Sequence, residues 1–367
     1  MDRDGVDSLR AGEGMDGHAD EDSDGHADED GRALHGSADE GRVPHGSADD
    51  PDLLDFSANT NPEVPDGARE VYEEAFESAG SYPDDDYPDY RAAAAEYVGC
   101  DTAQVIPTPG GLAAIRLAVG TTVGPGDSVL VPCPSFGEYA REVRLQGADL
   151  AFVAHEDLLA ADPAGHAMAV VCNPNNPTGE AYDPDALRAF ADRCRDAGTT
   201  LLVDEAFLGF TDHRSLAGRP GVIVARSLTK LFGLPGLRAG FAVAAGAERD
   251  RLATARRAWS LGAPAAAVGA YCMRQSDFVA ATRERVADER ARMRERLETR
   301  FEVFRSDAPF LLFDAGSPAA VDDMLADARE GDIALRDART FRGLDSHVRV
   351  AVRLPAENDR LLSALDV

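Results

Sequence analysis

The feature that most restricts the fold is the alternation of short apolar runs with amphipathic stretches after residue 51. Four apolar runs predict buried strands: SVLVPC at 128–133, HAMAVVCNP at 166–174, TTLLVDEAF at 199–207 and GVIVARSL at 221–228. Helical patterns lie between them, as in DALRAFADRCRDAG at 185–198. Because strand and helix alternate, we expect an α/β fold with a largely parallel sheet covered on both faces.

The N-terminal 50 residues have a different character. DGHADED and HGSAD each occur twice there, with almost no apolar residues between them. Such a segment cannot bury enough apolar surface to fold, so a disordered acidic tail is expected. Its four histidines stand among Asp and Gly, a pattern more typical of a solvated tail than of a metal site, and we expect no metal.

The remainder divides into a large and a small part. An arginine-rich helical region at 279–300 leads into short strands at 310–314 and 347–353, which indicates a smaller α+β domain. The predicted segments are an acidic tail at 1–50, an N-terminal arm at 51–80, a large domain at 81–255 and a small domain at 256–367.

Charge excludes some classes of partner. The formal net charge is −29; residues 1–50 hold 16 acids and 4 arginines, so the remainder carries −17. Such a surface repels nucleic acid, whose phosphates need cationic patches. Acid excess with lysine depletion is also expected of a protein working in molar salt, where self-repulsion is screened, and we hypothesise a halophilic host.

Nothing in the chain indicates a membrane or a secreted protein. No apolar run approaches about 20 residues, and the N-terminus is acidic where a secretory signal would be basic and then apolar. The five cysteines are widely spaced, odd in number and free of a paired-ligand pattern. We therefore expect a cytoplasmic protein with reduced thiols and without a zinc site.

Lysine usage points to one position. The chain has 36 arginines and a single lysine, Lys230, in SLTKLFGLPG at 227–236. A desolvated lysine can lose its proton and condense with an aldehyde, whereas arginine stays protonated. In an arginine-biased chain the last lysine could also be a surface accident, so its neighbours decide.

Three polar segments follow predicted strands: NPNNPTGEAY at 173–182, DEAF at 204–207 and SLTK at 227–230. Ligands bind α/β sheets at the loops beyond the carboxyl ends of the strands, where these segments meet. Alone, each has a structural explanation, since Asn-Pro-Thr-Gly favours turns and a strand-terminal Asp often caps a helix. In this order they reinforce one another.

Together they fit one cofactor, pyridoxal 5′-phosphate. Lys230 supplies the amine for its aldehyde, and Asp204 supplies the buried carboxylate that keeps the pyridine nitrogen protonated. Asn176 is suited to donate to the 3′-oxygen of the ring, and Phe136 in CPSFGEY to cover its face.

The cofactor phosphate needs hydroxyls, cationic groups and a helix N-terminus. Ser227 and Arg238 supply the first two. The loop TPGG at 108–111, with Gly110 and Gly111, precedes an amphipathic helix predicted to start near Leu112. The sequence therefore predicts a phosphate cradle formed by these elements.

The stretch SLTKLFGLPGLRAGF at 227–241, with NPNNPTG and VDEAF, resembles the pyridoxal-phosphate enzymes of the aspartate aminotransferase fold over residues 51–367. The resemblance implies a large domain with a mostly parallel sheet and a smaller C-terminal domain. Two branches of the family compete, one decarboxylating a phosphorylated amino acid and one transaminating a phosphorylated amine. The chain resembles the decarboxylases in LLDFSANTNP at 53–62, in Phe207, in AWS at 258–260 and in RDARTFRGL at 336–344.

The resemblance also implies substrate-binding residues. Arg349 would bind the substrate carboxylate, Arg336 its phosphate, and Asn59 and Asn61 would lie over the substrate. Tyr82 would reach the cofactor phosphate of a neighbouring subunit, which implies a homodimer with shared sites. Alternatively, the two arginines belong to the surface and Tyr82 packs in a turn. A non-enzymatic binding protein that has kept the fold is a further alternative.

The chain departs from the family pattern at two places. The phosphate loop has Pro109 and Ala113 where polar residues are usual, although backbone N–H groups at Gly110 and Gly111 remain. The decarboxylases also carry a His-Gly-Gly near the N-terminus that meets the substrate phosphate. Here HGS occurs at 35–37 and 45–47, so that either His35 or His45 could take this role.

Overall fold

The structure, a computed structural model, describes Val43, His45, Gly46 and residues 50–367. The rest of the predicted tail, including His35, lies outside the described residues.

Strands and helices alternate through the first two thirds of the described chain. The strands are β1 (Leu54–Asp55), β2 (Val105–Thr108), β3 (Ser128–Cys133), β4 (Asp149–Ala154), β5 (Met168–Cys172), β6 (Thr200–Asp204), β7 (Val222–Ser227), β8 (Gly240–Val243), β9 (Glu302–Val303), β10 (Phe310–Asp314), β11 (Ile333–Ala334), β12 (Arg336–Asp337) and β13 (His347–Ala351). The α-helices are α1 (Ala68–Phe76), α2 (Pro88–Val98), α3 (Gly111–Thr122), α4 (Glu138–Leu145), α5 (Pro184–Ala197), α6 (Gly246–Ala255), α7 (Ala263–Met273), α8 (Ser276–Leu297), α9 (Pro318–Glu330) and α10 (Pro355–Ala364).

The central sheet has seven strands in the order β2-β8-β7-β6-β5-β3-β4. Strand β8 runs antiparallel to β2 and β7, and the other pairs are parallel. Every residue of β5 and β6 is buried, as expected for strands covered on both faces. The predicted α/β fold with a mostly parallel sheet is therefore confirmed.

Two apolar clusters lie on opposite faces of this sheet. Ala169 and Val171 of β5 join the cluster that includes residues of α2, α5, α7 and α8, whereas Met168 and Val170 join the cluster with α3, α4 and α6. This division follows from the alternation of side chains along a strand. The loops at the carboxyl ends of β5, β6 and β7 therefore lie together at one end of the sheet, between the two clusters.

The residues at the two ends of α5 explain where this helix begins and ends. The side chain of Asp183 accepts hydrogen bonds from the N–H groups of Asp185 and Ala186 at its start, Pro184 occupies the first turn, and Gly198 ends it with φ +77°. Leu187, Phe190, Ala191 and Cys194 form its buried face.

The C-terminal part contains a second, antiparallel sheet in the order β12-β13-β10-β9, with α8, α9 and α10 nearby. Arg336 of β12 lies opposite Arg349 of β13 in its register. The arm reaches this region, because β1 pairs with β11 and the carbonyl of Phe56 accepts from the N–H of Ala351. Within the described part of the chain, no helix combines the length and apolar character needed to cross a membrane.

Candidate active site

The polar segments predicted to meet at the sheet edge do so. Asn176 follows β5, Asp204 ends β6, Ser227 ends β7, and Lys230 follows it. All four line one cavity of about 330 Å³, together with Phe136 and Arg238. The cavity lies where ligands bind in parallel sheets.

Asp204 lies at the cavity floor and is held by two donors. The hydroxyl of Tyr139 donates to its Oδ2 across 2.7 Å, and the N–H of Ala206 donates to its Oδ1 across 3.0 Å. Burial raises the pKa of Asp204, and these hydrogen bonds oppose that rise by favouring the carboxylate. Sequence reasoning missed Tyr139, although it stands three residues after Phe136 in the same motif.

Lys230 is partly buried beside cationic groups. Burial lowers the pKa of its ammonium from 10.5 to about 8, and the positive charges of Arg349 and Arg238 act in the same direction. Asp204 opposes them more weakly. About a tenth of the amine is therefore unprotonated at pH 7, far more than for a free lysine, and nucleophilic attack on an aldehyde requires this form.

The predicted phosphate cradle has Arg238, Ser227 and Gly111 at the cavity, whereas Gly110 serves another purpose. The N–H of Gly110 donates to the carbonyl of Thr108 across 2.8 Å, so it is not available to a ligand as we had predicted. Gly110 has φ +93°, and a Cβ there would come within 2.6 Å of Nη2 of Arg238. Glycine is favoured here because any other residue would be strained at this φ, and its Cβ would also displace the guanidinium of Arg238. The N-terminus of α3 opens into the cavity at Gly111.

Arg349 and Arg336 are buried, lie opposite each other in the register of β12 and β13, and both line the cavity. Arg349 is held by Oδ1 of Asn176, by the carbonyl of Ser57 at 2.9 Å, and by the faces of Phe310 and Phe341. Burial and the charge of Arg336 lower the pKa of Arg349 to about 9, so that it remains a cation at neutral pH.

Arg336 donates to Thr340 across 2.8 Å, and its guanidinium lies 5.3 Å from the centre of the Phe341 ring. Burial lowers its pKa as well. The carboxylates of Asp337 and Asp55 oppose the lowered pKa of Arg336 and of Arg349, respectively. A buried guanidinium at a cavity is suited to bind a carboxylate or phosphate group of a ligand. Neither arginine belongs to the exposed surface.

The predicted substrate asparagines behave differently from one another. Asn59 lines the cavity, and its buried Oδ1 has no hydrogen-bond partner among the described residues. Asn61 does not line the cavity, because its amide donates to the carbonyl of Leu231 and its Oδ1 accepts from Arg285. Asn61 therefore fastens the arm to the chain after Lys230 and is not placed over the substrate.

Tyr82 lies outside the cavity of its own chain. Its side chain is 78% exposed, and its ring packs 4.5 Å from that of Trp259, itself half exposed. A large exposed aromatic pair is unusual on an isolated surface.

The segment before the arm also reaches the cavity. Val43, His45 and Gly46 line it on the side of Phe136 and Arg336. Of the two histidines left open by the sequence, His45 is therefore at the site, while His35 lies outside the described residues.

These residues fit pyridoxal 5′-phosphate on their own chemistry: an amine of lowered pKa, a buried carboxylate, an aromatic face, and a helix N-terminus beside an arginine. Such a site defines a class of proteins that bind this cofactor, and Lys230 is the residue predicted to condense with its aldehyde. The sequence pattern of the aminotransferase class I and II family matches residues 51–365, and the chain belongs to that family. The cofactor prediction is thereby confirmed.

Relatives of two activities are about equally similar. Histidinol-phosphate aminotransferase 2 of Archaeoglobus fulgidus is 29% identical over 86% of this chain and 93% of its own length. Threonine-phosphate decarboxylase of Salmonella typhimurium is 30% identical over 85% of this chain and 90% of its own. The crystal structure of histidinol-phosphate aminotransferase from Sinorhizobium meliloti, solved with pyridoxal 5′-phosphate, shares the fold with a TM-score of 0.76 at 22% identity, covering 84% and 88% of the two chains.

Proposed function

We propose that this protein is a lyase that decarboxylates L-threonine O-3-phosphate to (R)-1-aminopropan-2-yl phosphate. The observation that carries the proposal is the buried pair of Arg336 and Arg349, which line the same cavity as Lys230. A substrate with a carboxylate and a phosphate supplies two anions for the two cations. In the branch that this chain resembles, the product is the linker of the cobalamin nucleotide loop.

The residues that line the cavity would bind different parts of the cofactor and the substrate. Lys230 would hold the cofactor, Asp204 its ring nitrogen, and Ser227 and Arg238 its phosphate. The bound cofactor supplies an electron sink for the bond that breaks at Cα. Arg349, fixed between Phe310 and Phe341, would orient the substrate carboxylate so that the bond to it is the one cleaved.

Loss of carbon dioxide leaves the electron pair of the broken bond behind, and Cα must then be protonated. Lys230 is the group suited to deliver that proton, since a pKa of about 8 lets it hold or release one near neutral pH. Phe136, Phe207 and Phe341 add apolar walls to the cavity in which this step would take place.

Transamination of histidinol phosphate is the alternative, favoured by the similarity to the aminotransferase of Archaeoglobus fulgidus. Histidinol phosphate carries a phosphate and no carboxylate, so it would use only one of the two arginines at a time. A 2-oxo acid would then bind the second cation in the other half-reaction. The need for a 2-oxo acid therefore separates the two activities.

A homodimer with shared sites is part of the proposal. The exposed Tyr82 and Trp259 rings form an aromatic surface suited to a second copy of this chain. Tyr82 would then reach the cofactor phosphate of the partner subunit.

The test is incubation of the cofactor-loaded protein, in high potassium chloride, with L-threonine O-3-phosphate and no 2-oxo acid. We expect sustained release of carbon dioxide, lost in Lys230→Ala and reduced by about 100-fold in kcat/KM in Arg349→Gln. Arg274→Gln, which removes a surface ion pair with Asp89, is the matched control. Amino transfer from histidinol phosphate to 2-oxoglutarate, without carbon dioxide release, would overturn the proposal.

A further inference from the structure

The strap, formed by Val43, His45 and Gly46, lies against the helix start that carries the aromatic wall of the cavity. A Cβ on Gly137 would come within 2.9 Å of Cγ1 of Val43, so the strap passes close to the backbone that precedes α4. The ring of His45 lies 5.6 Å from that of Phe136. Val43 and His45 of the strap therefore pack against the cavity wall formed by Phe136 and Gly137.

The other end of the strap reaches the arginine wall. A Cβ on Gly46 would collide with the carbonyl of Ser57 and lie 3.3 Å from Cδ of Arg336. The same carbonyl of Ser57 accepts from Nη2 of Arg349. His45 thus stands on a segment that runs from Phe136 to the two arginines proposed to hold the substrate anions.

A buried carboxylate holds His45 in this place. Glu138, in the first turn of α4, is 4% exposed, and its Oε1 lies 3.2 Å from Nε2 of His45. Its Oε2 accepts from Arg141 across 3.3 Å. Arg141 also donates to Glu142, whose other oxygen faces Arg116 at 3.2 Å. The two carboxylates are thus compensated by two arginines, and each oxygen of Glu138 is already occupied.

The carboxylate determines which ring nitrogen is available. Since a carboxylate only accepts, Nε2 of His45 must be the donor, and Nδ1 is left for a ligand. An imidazole protonated at both nitrogens can donate to Glu138 and to an anion at once. We propose that Glu138 is a positioning residue, which fixes the His45 ring so that Nδ1 donates to the phosphate of the substrate. This inference rests on the proposed function, because it assigns the anion that His45 meets.

The test compares Glu138→Gln, His45→Asn and the double variant in the cofactor-loaded protein. In Glu138→Gln we expect the KM for L-threonine O-3-phosphate to rise about 10-fold with kcat nearly unchanged, because the charged hydrogen bond that fixes the His45 ring is lost. The KM of the double variant should be no higher than that of the single variant with the higher KM, because both substitutions remove the same interaction. Glu142→Gln, which alters the same carboxylate cluster without touching His45, is the matched control and should leave KM unchanged.

A second measurement does not depend on turnover. The dissociation constant of inorganic phosphate for the cofactor-loaded protein, measured by calorimetry, should rise in Glu138→Gln and in His45→Asn. In the double variant it should rise no further than in the weaker-binding single variant. Independent, multiplying effects of the two substitutions, or an equal effect of Glu142→Gln, would overturn the positioning role. If the wild type decarboxylates nothing and yet binds phosphate with this coupling, the proposed function fails and the role of Glu138 stands.

Discussion

The hydroxyl of Tyr139 donates to Oδ2 of Asp204 across 2.7 Å in the fully buried floor of the cavity. Burial raises the pKa of Asp204, and the phenol is the strongest of the interactions that lower it again. The partner of a protonated pyridine nitrogen must be ionised, so Tyr139 supports the cofactor through Asp204.

Tyr139→Phe should therefore weaken cofactor retention by about 10-fold, the effect of losing one hydrogen bond to a charged group. The measurement is equilibrium dialysis of the cofactor, followed by its visible absorption. Tyr90→Phe is the control, because it also removes a buried tyrosine hydroxyl, one that donates to the carbonyl of Gly240. Equal losses in both variants would contradict the role of Tyr139.

Lys230 makes the stability of the cofactor-free protein depend on pH. Its pKa is lowered on folding from 10.5 to about 8, so the unfolded chain binds more protons between these values and stability rises with pH there. Lys230→Met should be more stable than the wild type by about 2 kcal/mol at pH 7, less than the full shift implies because the side chain is partly exposed. Denaturant unfolding of both proteins should show this gap narrowing from pH 8 to pH 10.5. A gap that stays constant would count against the lowered pKa.

The fold and the centre of the site could be predicted because local patterns determine them. Apolar runs predicted the strands. Asn176, Asp204 and Lys230 could be predicted to lie together because ligands bind at the loops beyond the carboxyl ends of parallel strands. Contacts between distant segments could not be predicted. The family resemblance placed Asn61 over the substrate, yet its side chain is hydrogen-bonded to Arg285 of α8 and to the carbonyl of Leu231.

The two HGS repeats illustrate a different limit. His35 and His45 have nearly the same neighbours in sequence, so no local pattern distinguishes them. His45 is distinguished by Glu138, 93 positions away, and by the space above Gly137. The role of Gly110 was missed for the same reason, since Arg238 is distant in the sequence and comes close only because β8 pairs with β2.

Gly110→Ala should impair binding of the cofactor phosphate in addition to stability. The new Cβ would lie 2.6 Å from Arg238 at a φ of +93°. Gly99→Ala is a matched control, because Gly99 has φ +76° but open space around its Cβ position. Both variants should lose about 1 kcal/mol or more of stability. Only Gly110→Ala should also weaken cofactor affinity, measured by titration; an equal affinity in both would contradict the clash.

Shared sites can be tested by mixing two inactive variants. If Tyr82 completes the site of the partner subunit, a dimer of Tyr82→Ala and Lys230→Ala chains contains one complete site. Equal amounts that exchange subunits should recover about a quarter of the wild-type activity, because half of the dimers are mixed and each has one working site. Subunit exchange is followed by mass spectrometry of the intact dimers, which separates mixed dimers from the two parent dimers. No recovery despite exchange would place Tyr82 in its own chain only.

The charge of −29 predicts that salt stabilises the protein. Like charges repel across the folded surface, and molar potassium chloride shortens the Debye length to about 3 Å, which removes most of that repulsion. We expect the thermal midpoint to rise by about 5 °C between 0.1 M and 2 M salt, on the order of 2 kcal/mol. The control is a variant without residues 1–42, which lacks 14 acids and 4 arginines. Because most of the acidity lies in the remainder, this variant should keep most of the rise; its loss would assign the effect to the tail, and a full-length midpoint independent of salt would contradict the halophilic hypothesis.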